Sequence, residues 1–159
     1  MEQKFQLILK NSFLLRVEHK GRLTHKTRVV EVTYYWDGLK RIILSGYPGR
    51  RDWVANMSEN HEVLIYTVEG SDWYQISGVS QAIRNRFERN QYILKYIDRW
   101  NNLPGNKKLL ISLIIKSIQI KEKLRIPWWG PFYLVQKIFD KMPCIEIVIT
   151  GEPQRNYSP

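Results

Sequence analysis

Gly21-Arg22-Leu23-Thr24-His25-Lys26-Thr27-Arg28 lies between two runs of strand-forming composition. Before it stands Phe13-Leu14-Leu15-Arg16-Val17, and after it Val29-Val30-Glu31-Val32-Thr33-Tyr34-Tyr35-Trp36, rich in β-branched and aromatic residues. From His19 to Arg28 the connection carries Lys20, Arg22, Lys26 and Arg28, two histidines and two threonines, and no acid. A glycine admits backbone geometry that a Cβ forbids, and successive turn N–H groups can form a nest for an anion. Arginine adds forked donors, lysine a point charge and threonine a hydroxyl. Such a turn between two strands is either an anion site or a solvated loop, and on its own composition both readings stand.

The following segment narrows the choice. Asp37-Gly38 is a two-residue hairpin signal, and Lys40-Arg41-Ile42-Ile43-Leu44-Ser45 returns as a strand. A Gly/Pro break at Gly46-Tyr47-Pro48-Gly49 leads into a short helix that Asp52 or a neighbour could cap, closed by Ser58-Glu59-Asn60. His61 to Thr67 is another strand. Three spaced motifs lie in this order: Gly21-Arg22-Leu23-Thr24…Arg28, Ser45…Asp52-Trp53…Asn56, and Asn60…Val63. Together they resemble the deazaflavin-dependent nitroreductase and quinone reductase family, over roughly residues 14–82 and more loosely beyond. The resemblance implies an α+β split β-barrel, an antiparallel six-stranded barrel with flanking helices, of the FMN-binding-like kind.

At 159 residues the chain suits a single domain, 1–159. Expected strands cover 14–20, 28–36, 40–46, 61–67 and 73–83, so the barrel core spans about 13–83. A return strand at 144–150 completes it, and 85–142 forms a helical insertion. Within the insertion, Phe87, Leu94 and Ile97, flanked by Ile93, Tyr96 and Trp100, predict a helix over 85–100 with an inward stripe. Pro104-Gly105 stops it, a second helix starts near Lys107, and Ile118 to Lys121 reads equally as helix or strand. Phe132 to Met142 is a third helix. A leading helix over 2–10 and a frayed tail over 152–159 complete the pattern.

The formal net charge is +10, with 43% hydrophobic residues. The positive charge is spread along the chain with no RNA-recognition, helix-turn-helix or zinc-finger pattern, so no nucleic-acid partner is expected. Cys144 is the single cysteine, which excludes an intrachain disulfide, and His19, His25 and His61 have no metal-ligand spacing. The apolar run Leu109 to Ile115 is too short to span a bilayer, and no secretory leader is visible, so a cytoplasmic protein is expected. The basic, apolar stretch Lys107–Arg125 can pack on the barrel, the simpler reading, or lie on an anionic membrane surface.

No hydrolase elbow, Rossmann fingerprint or phosphate loop is present, and Cys144 has no neighbouring histidine in sequence. That pattern suits chemistry carried by a cofactor. By resemblance the cofactor is coenzyme F420, with FMN as the alternative. Arg22, Thr24, Lys26 and Arg28 would hold its phosphate with His25 nearby, where relatives often have glycine. Leu44, Ser45 and Gly46 would line the ring, and Arg51, Trp53 and Asn56 would close the other side. The implied reaction is hydride transfer to a small-molecule acceptor, a quinone or nitro compound, in a pocket of Tyr47, Trp128, Trp129, Phe132 and Tyr133. No catalytic side chain is singled out, and a homodimer is implied by the resemblance alone.

Overall fold

Alternation of apolar and polar residues, read along each strand, requires a sheet with one face dry, and the sheet meets that requirement by closing. In the computed structural model, which describes residues 2–155 except 71, 104, 106 and 107, β1 (Leu14–Lys20) pairs antiparallel with β2 (Thr27–Trp36), and β2 with β3 (Arg41–Leu44). β4 (Glu62–Thr67) pairs with β1 and with β5 (Tyr74–Ala82), and β6 (Ile145–Ile149) joins β5 to β3. The result is a closed six-stranded antiparallel barrel. It agrees with the α+β split-barrel expectation.

Leu15, Val17, Ile42, Leu44, Ile65, Ile76, Ile145 and Ile147 fill the interior. Two helices extend that core. α1 (Gln3–Asn11) contributes Phe5 and Leu9, with Phe5 edge-on to Tyr74, and α2 (Asp52–Glu59) contributes Met57. Each fully buried aliphatic or aromatic side chain of this kind stabilises the fold by about 1.5–3 kcal/mol. Of the adjacent pair Trp73 and Tyr74, Tyr74 is the one buried.

A second core lies outside the barrel. There α3 (Arg86–Asn101), α4 (Leu109–Lys123) and α5 (Pro131–Lys141) cover the outward side chain of Ile43 with Ile93, Leu94, Ile118 and Phe139. Asn85 caps α3 by accepting from the Glu88 N–H at 3.1 Å, and Pro131 starts α5 where its missing N–H costs nothing.

Three expectations change and one open alternative is decided. Phe87 lies on the solvent side of the first turn of α3, 69% exposed, because the inner face runs through Asn90, Ile93, Leu94 and Tyr96. Ile118 to Lys121 is helical, part of an α4 whose buried side chains are Ile115, Ile118 and Lys121 and whose Ser112 accepts from Asn101 of α3 at 2.8 Å. The third strand ends at Leu44 rather than at 46, as the Ser45 hydroxyl turns to the Pro143 carbonyl at 2.7 Å. The tail is not frayed from 152: Gln154–Arg155 forms β7 on the edge of β5, and Arg155 pairs with Asp72. The expected fraying of 156–159, the Pro104 stop, the helix start at Lys107 and Ser71 of the turn before β5 lie outside the described residues.

Candidate functional site

The β1–β2 connection folds back on itself. The Gly21 N–H donates to the Lys26 carbonyl and the His25 N–H to the Gly21 carbonyl, both at 2.9 Å. His25 sits at φ 53°, a left-handed conformation that favours glycine and that few side chains adopt. With the Gly21 and His25 amides engaged inside the turn, its side chains become the outward donors.

Arg22 is fixed from α2. Its backbone N–H and its guanidinium both donate to Asn56 Oδ1, at 3.2 and 3.3 Å, and its Nη1 lies 3.6 Å from Asp52. Asn56 is buried, so the carboxamide is held firmly under the turn. Around this pair Gly21, Arg22, Leu23, Thr24, Arg28, Asp52 and Asn56 line a hollow of ≈ 200 Å³. The lack of a side chain at Gly21 shapes it. A methyl there would lie 3.0 Å from Thr24 Oγ1 and 3.1 Å from Arg28 Nε.

Arg22 and Asp52 also wall a second hollow of ≈ 540 Å³, to which Arg50, Arg51, Arg89 and Lys141 contribute. Asp52 is its one acid among five cations, so the groove is strongly positive. Arg89 reaches it from α3, and its guanidinium donates to the carbonyls of Phe139, Asp140 and Met142 at the end of α5. Its Nε is buried and has no partner among the described residues. Gly49 ties the groove's rim to α5 through the Lys141 carbonyl at 2.8 Å.

Met142 is shared with a third hollow of ≈ 410 Å³, walled by Phe13, Thr33, Gly46, Tyr47, Pro48, Tyr96, Ile97 and Trp100. Its lining is largely apolar, with one polar pair: Tyr96 Oη and Thr33 Oγ1 lie 2.5 Å apart. Burial raises the Tyr96 phenol above its ordinary range, against the opposing pull of the Thr33 hydrogen bond. Tyr96 therefore keeps its proton at neutral pH.

The residues anticipated from sequence thus divide. Arg22, Thr24, Arg28 and Asn56 converge on the first hollow, Arg51 lines the second and Gly46 the third. Lys26 and His25 are exposed on the turn and line none of the three. The Leu44 side chain is wholly buried inside the barrel and the Ser45 hydroxyl donates to the Pro143 carbonyl, so any ring contact from these two would fall to their backbone amides. Trp53 packs against the barrel core. Of the aromatics anticipated around an acceptor, only Tyr47 lines the apolar hollow. Trp128 and Phe132 pack in the outer core beside Phe139, and Trp129 and Tyr133 are exposed.

The inner stripe expected of α3 places Tyr96 and Trp100 in packing, and the sequence motifs do not include Arg50, Arg89, Lys141, Thr33 or Phe13, all of which line these hollows. A tyrosine on the inner stripe of α3 was the available signal, since a buried phenol needs a hydrogen-bond partner. A separate hollow of ≈ 460 Å³ along β1, β4 and β5 has both signs of charge, Glu18, Lys20 and Glu62, and none of the anticipated residues. Among the described residues no three His, Cys, Asp or Glu side chains gather as a metal set. No helix among them is long and apolar enough to cross a membrane.

No protein-family description and no curated protein sequence matches the chain. Solved structures do. A candidate 5-nitroimidazole antibiotic resistance protein from Bacteroides thetaiotaomicron aligns over 96% of this chain and 82% of its own, at 10% identity and TM-score 0.65. An F420 reductase aligns over 95% and 97%, at 11% identity and TM-score 0.60. An FAD and heme binding protein from Mycobacterium smegmatis aligns over 94% and 67%, at 12% identity and TM-score 0.60. Identities this low establish the fold and nothing finer: the chain shares the split β-barrel of these proteins.

Proposed function

We propose that this protein is an oxidoreductase that binds a phosphate-bearing flavin-type cofactor, coenzyme F420 ahead of FMN, and serves a quinone or nitroaromatic acceptor. The observation that carries this reading is the adjacency of three hollows, one small and rich in donors, one basic, one apolar, which have Arg22, Asp52 and Met142 as common walls. A ligand anionic at one end and planar and apolar at the other suits that order of environments. Two further features fit it. The cradle at Gly21 is space that a Cβ would take from Thr24 and Arg28, and Arg89 Nε is a buried donor on the groove wall without a partner among the described residues.

Arg22, Thr24 and Arg28 would hold the phosphate, and Arg50, Arg51 and Lys141 any further carboxylates. The Gly46–Pro48 backbone would border the ring. When bound, the reduced cofactor supplies a hydride to the acceptor. The chain's own part is positioning, exclusion of water by the walls of the apolar hollow, and a proton held on Tyr96 Oη for the reduced acceptor. Names among the structural neighbours, an F420 reductase and a candidate nitroimidazole resistance protein, support the reading at the level of fold.

The test is titration of the purified protein with F420, FMN and hemin separately, following quenching of tryptophan emission. Saturable F420 binding, weakened about tenfold or more by Arg28→Ala, with oxidation of the reduced cofactor by menadione, is the expected result. Tight FMN with no F420 response would move the enzyme to the flavin branch. Hemin alone, or no response to any of the three, would overturn the proposal.

A further inference from the structure

Helix α4 has two apolar faces, and only one of them is used. Ile115, Ile118 and Lys121 turn inward, while another side of the helix carries Leu109, Leu110, Leu113, Ile120 and Leu124, each more than half exposed. At 100° per residue these five side chains fall within one arc of about 100°, centred about 130° round the helix from the packed face. Solvent does not favour a stripe of this kind, and exposed apolar patches of such continuity mark a contact surface.

Charge identifies the occupant. Lys116 and Lys123 follow one edge of the stripe, and Arg125 lies just beyond its C-terminal end, with no carboxylate partner among the described residues. The remaining lysine of the helix's last turn, Lys121, points inward, donating to the Ile126 carbonyl at 3.1 Å and lying over the Trp128 ring. Glu122, the helix's one acid, is only half-exposed and falls on the packed side. Trp129, 64% exposed, follows in the turn after the helix. A second copy of this face would bring lysine against lysine with no acid to answer it. An anionic lipid surface answers the cations and also receives leucine and tryptophan side chains at headgroup depth.

We propose that α4 docks this protein on an anionic membrane, lying in the interfacial plane with its Leu109–Leu124 stripe inserted and Lys116, Lys123 and Arg125 against lipid phosphates. The argument does not use the cofactor reading and stands or falls separately from it.

The test is co-sedimentation with vesicles of phosphatidylcholine, alone or mixed with phosphatidylglycerol. Binding to the mixed vesicles only, at low salt, is the expected result. Leu113→Gln with Ile120→Gln should weaken it at least about tenfold, and Lys116→Gln with Lys123→Gln should remove most of the preference for the anionic lipid. All four side chains are exposed, so circular dichroism should show the fold unchanged. No binding to either vesicle overturns the proposal. So does a concentration-dependent dimer abolished by the leucine and isoleucine changes without vesicle binding, which would assign the stripe to a second copy.

Discussion

Asn56 Oδ1 accepts two hydrogen bonds from Arg22, one from the backbone and one from the guanidinium, across thirty-four positions of sequence. The carboxamide thereby joins the basic turn to α2 and fixes which way the arginine faces. Asn56→Ala removes the acceptor beneath the turn and should cost about 1–3 kcal/mol of stability, measured by urea unfolding. Asn56→Asp keeps an acceptor but adds a negative charge to the first hollow. It should leave stability nearly unchanged and weaken anion binding about tenfold. Equal loss of stability in both variants would show that burying the added charge costs as much as losing the acceptor.

Gly21 gives a second handle on the same hollow. A methyl at this position would press on Thr24 Oγ1 and Arg28 Nε, both at the ends of movable side chains. Gly21→Ala should therefore fold, with Arg28 displaced, and should lose as much cofactor affinity as Arg28→Ala. Isothermal titration of both variants makes the comparison. Unchanged affinity in Gly21→Ala would exclude the cradle as a phosphate seat.

Much of this was legible in the sequence because it depended on local rules. Alternation and turn chemistry define β1, β2, β4 and β5, and two of the spaced motifs, through Gly21–Arg28 and through Asp52 and Asn56, supply residues that meet at the first hollow. What escaped was decided by distance in sequence. Arg89 and Lys141 reach the basic groove from α3 and α5, and Tyr96 finds Thr33 across sixty-three positions. The local pattern of α3 and α5 does not distinguish Arg89 or Lys141 from ordinary surface, and for Tyr96 it signals a partner without naming Thr33. At Leu44 and Ser45 the side chains serve the fold, one in the barrel core and the other on the Pro143 carbonyl, which leaves their backbone amides as the groups the motif would use.

His19 makes acid stability a test of the barrel wall. It is buried at the end of β1, opposite Arg28 in register. Burial lowers its pKa from 6.5, the Arg28 charge lowers it further, and a hydrogen bond with the Lys20 carbonyl opposes both. The unfolded chain therefore takes up a proton first as pH falls below 6.5. Stability from neutral His19 is complete above that pH and is lost on acidification, by at most about 1.4 kcal/mol per pH unit, until the native state protonates too. Urea unfolding from pH 8 to pH 5 should show this slope, and His19→Gln should flatten it.

Cys144 should be inert while the protein is folded. It is buried at the foot of the basic groove, and desolvation pushes its thiol up to about 12, with Arg89 opposing. A thiolate is the reactive form, so Ellman's reagent at pH 8 should label native protein only at the rate of unfolding and label urea-unfolded protein at once. The thiol also bears on alkaline stability. The unfolded state ionises near 9 and the native state near 12, so stability is lost across that window as pH rises. Rapid labelling of the native state would mean that the groove opens to the thiol.

Arg99 holds the helical layer to the barrel, and its replacement should be among the most damaging single changes in the chain. Its guanidinium lies 4.3 Å from the centre of the Tyr34 ring and donates to the carbonyls of Tyr34, Leu9 and Ser12, with Lys10 at 3.4 Å. Those acceptors belong to β2 and to the end of α1, while the donor belongs to α3. Tyr34 Oη donates to the Leu9 carbonyl as well, at 2.8 Å, so the junction is shared. Arg99→Met keeps the apolar stem but leaves part-buried carbonyls without a donor, and should lose about 2–4 kcal/mol. Arg99→Lys supplies one compact ammonium in place of the planar fork and should recover less than half of that. If lysine restores full stability, charge alone suffices at this junction and the forked geometry contributes nothing.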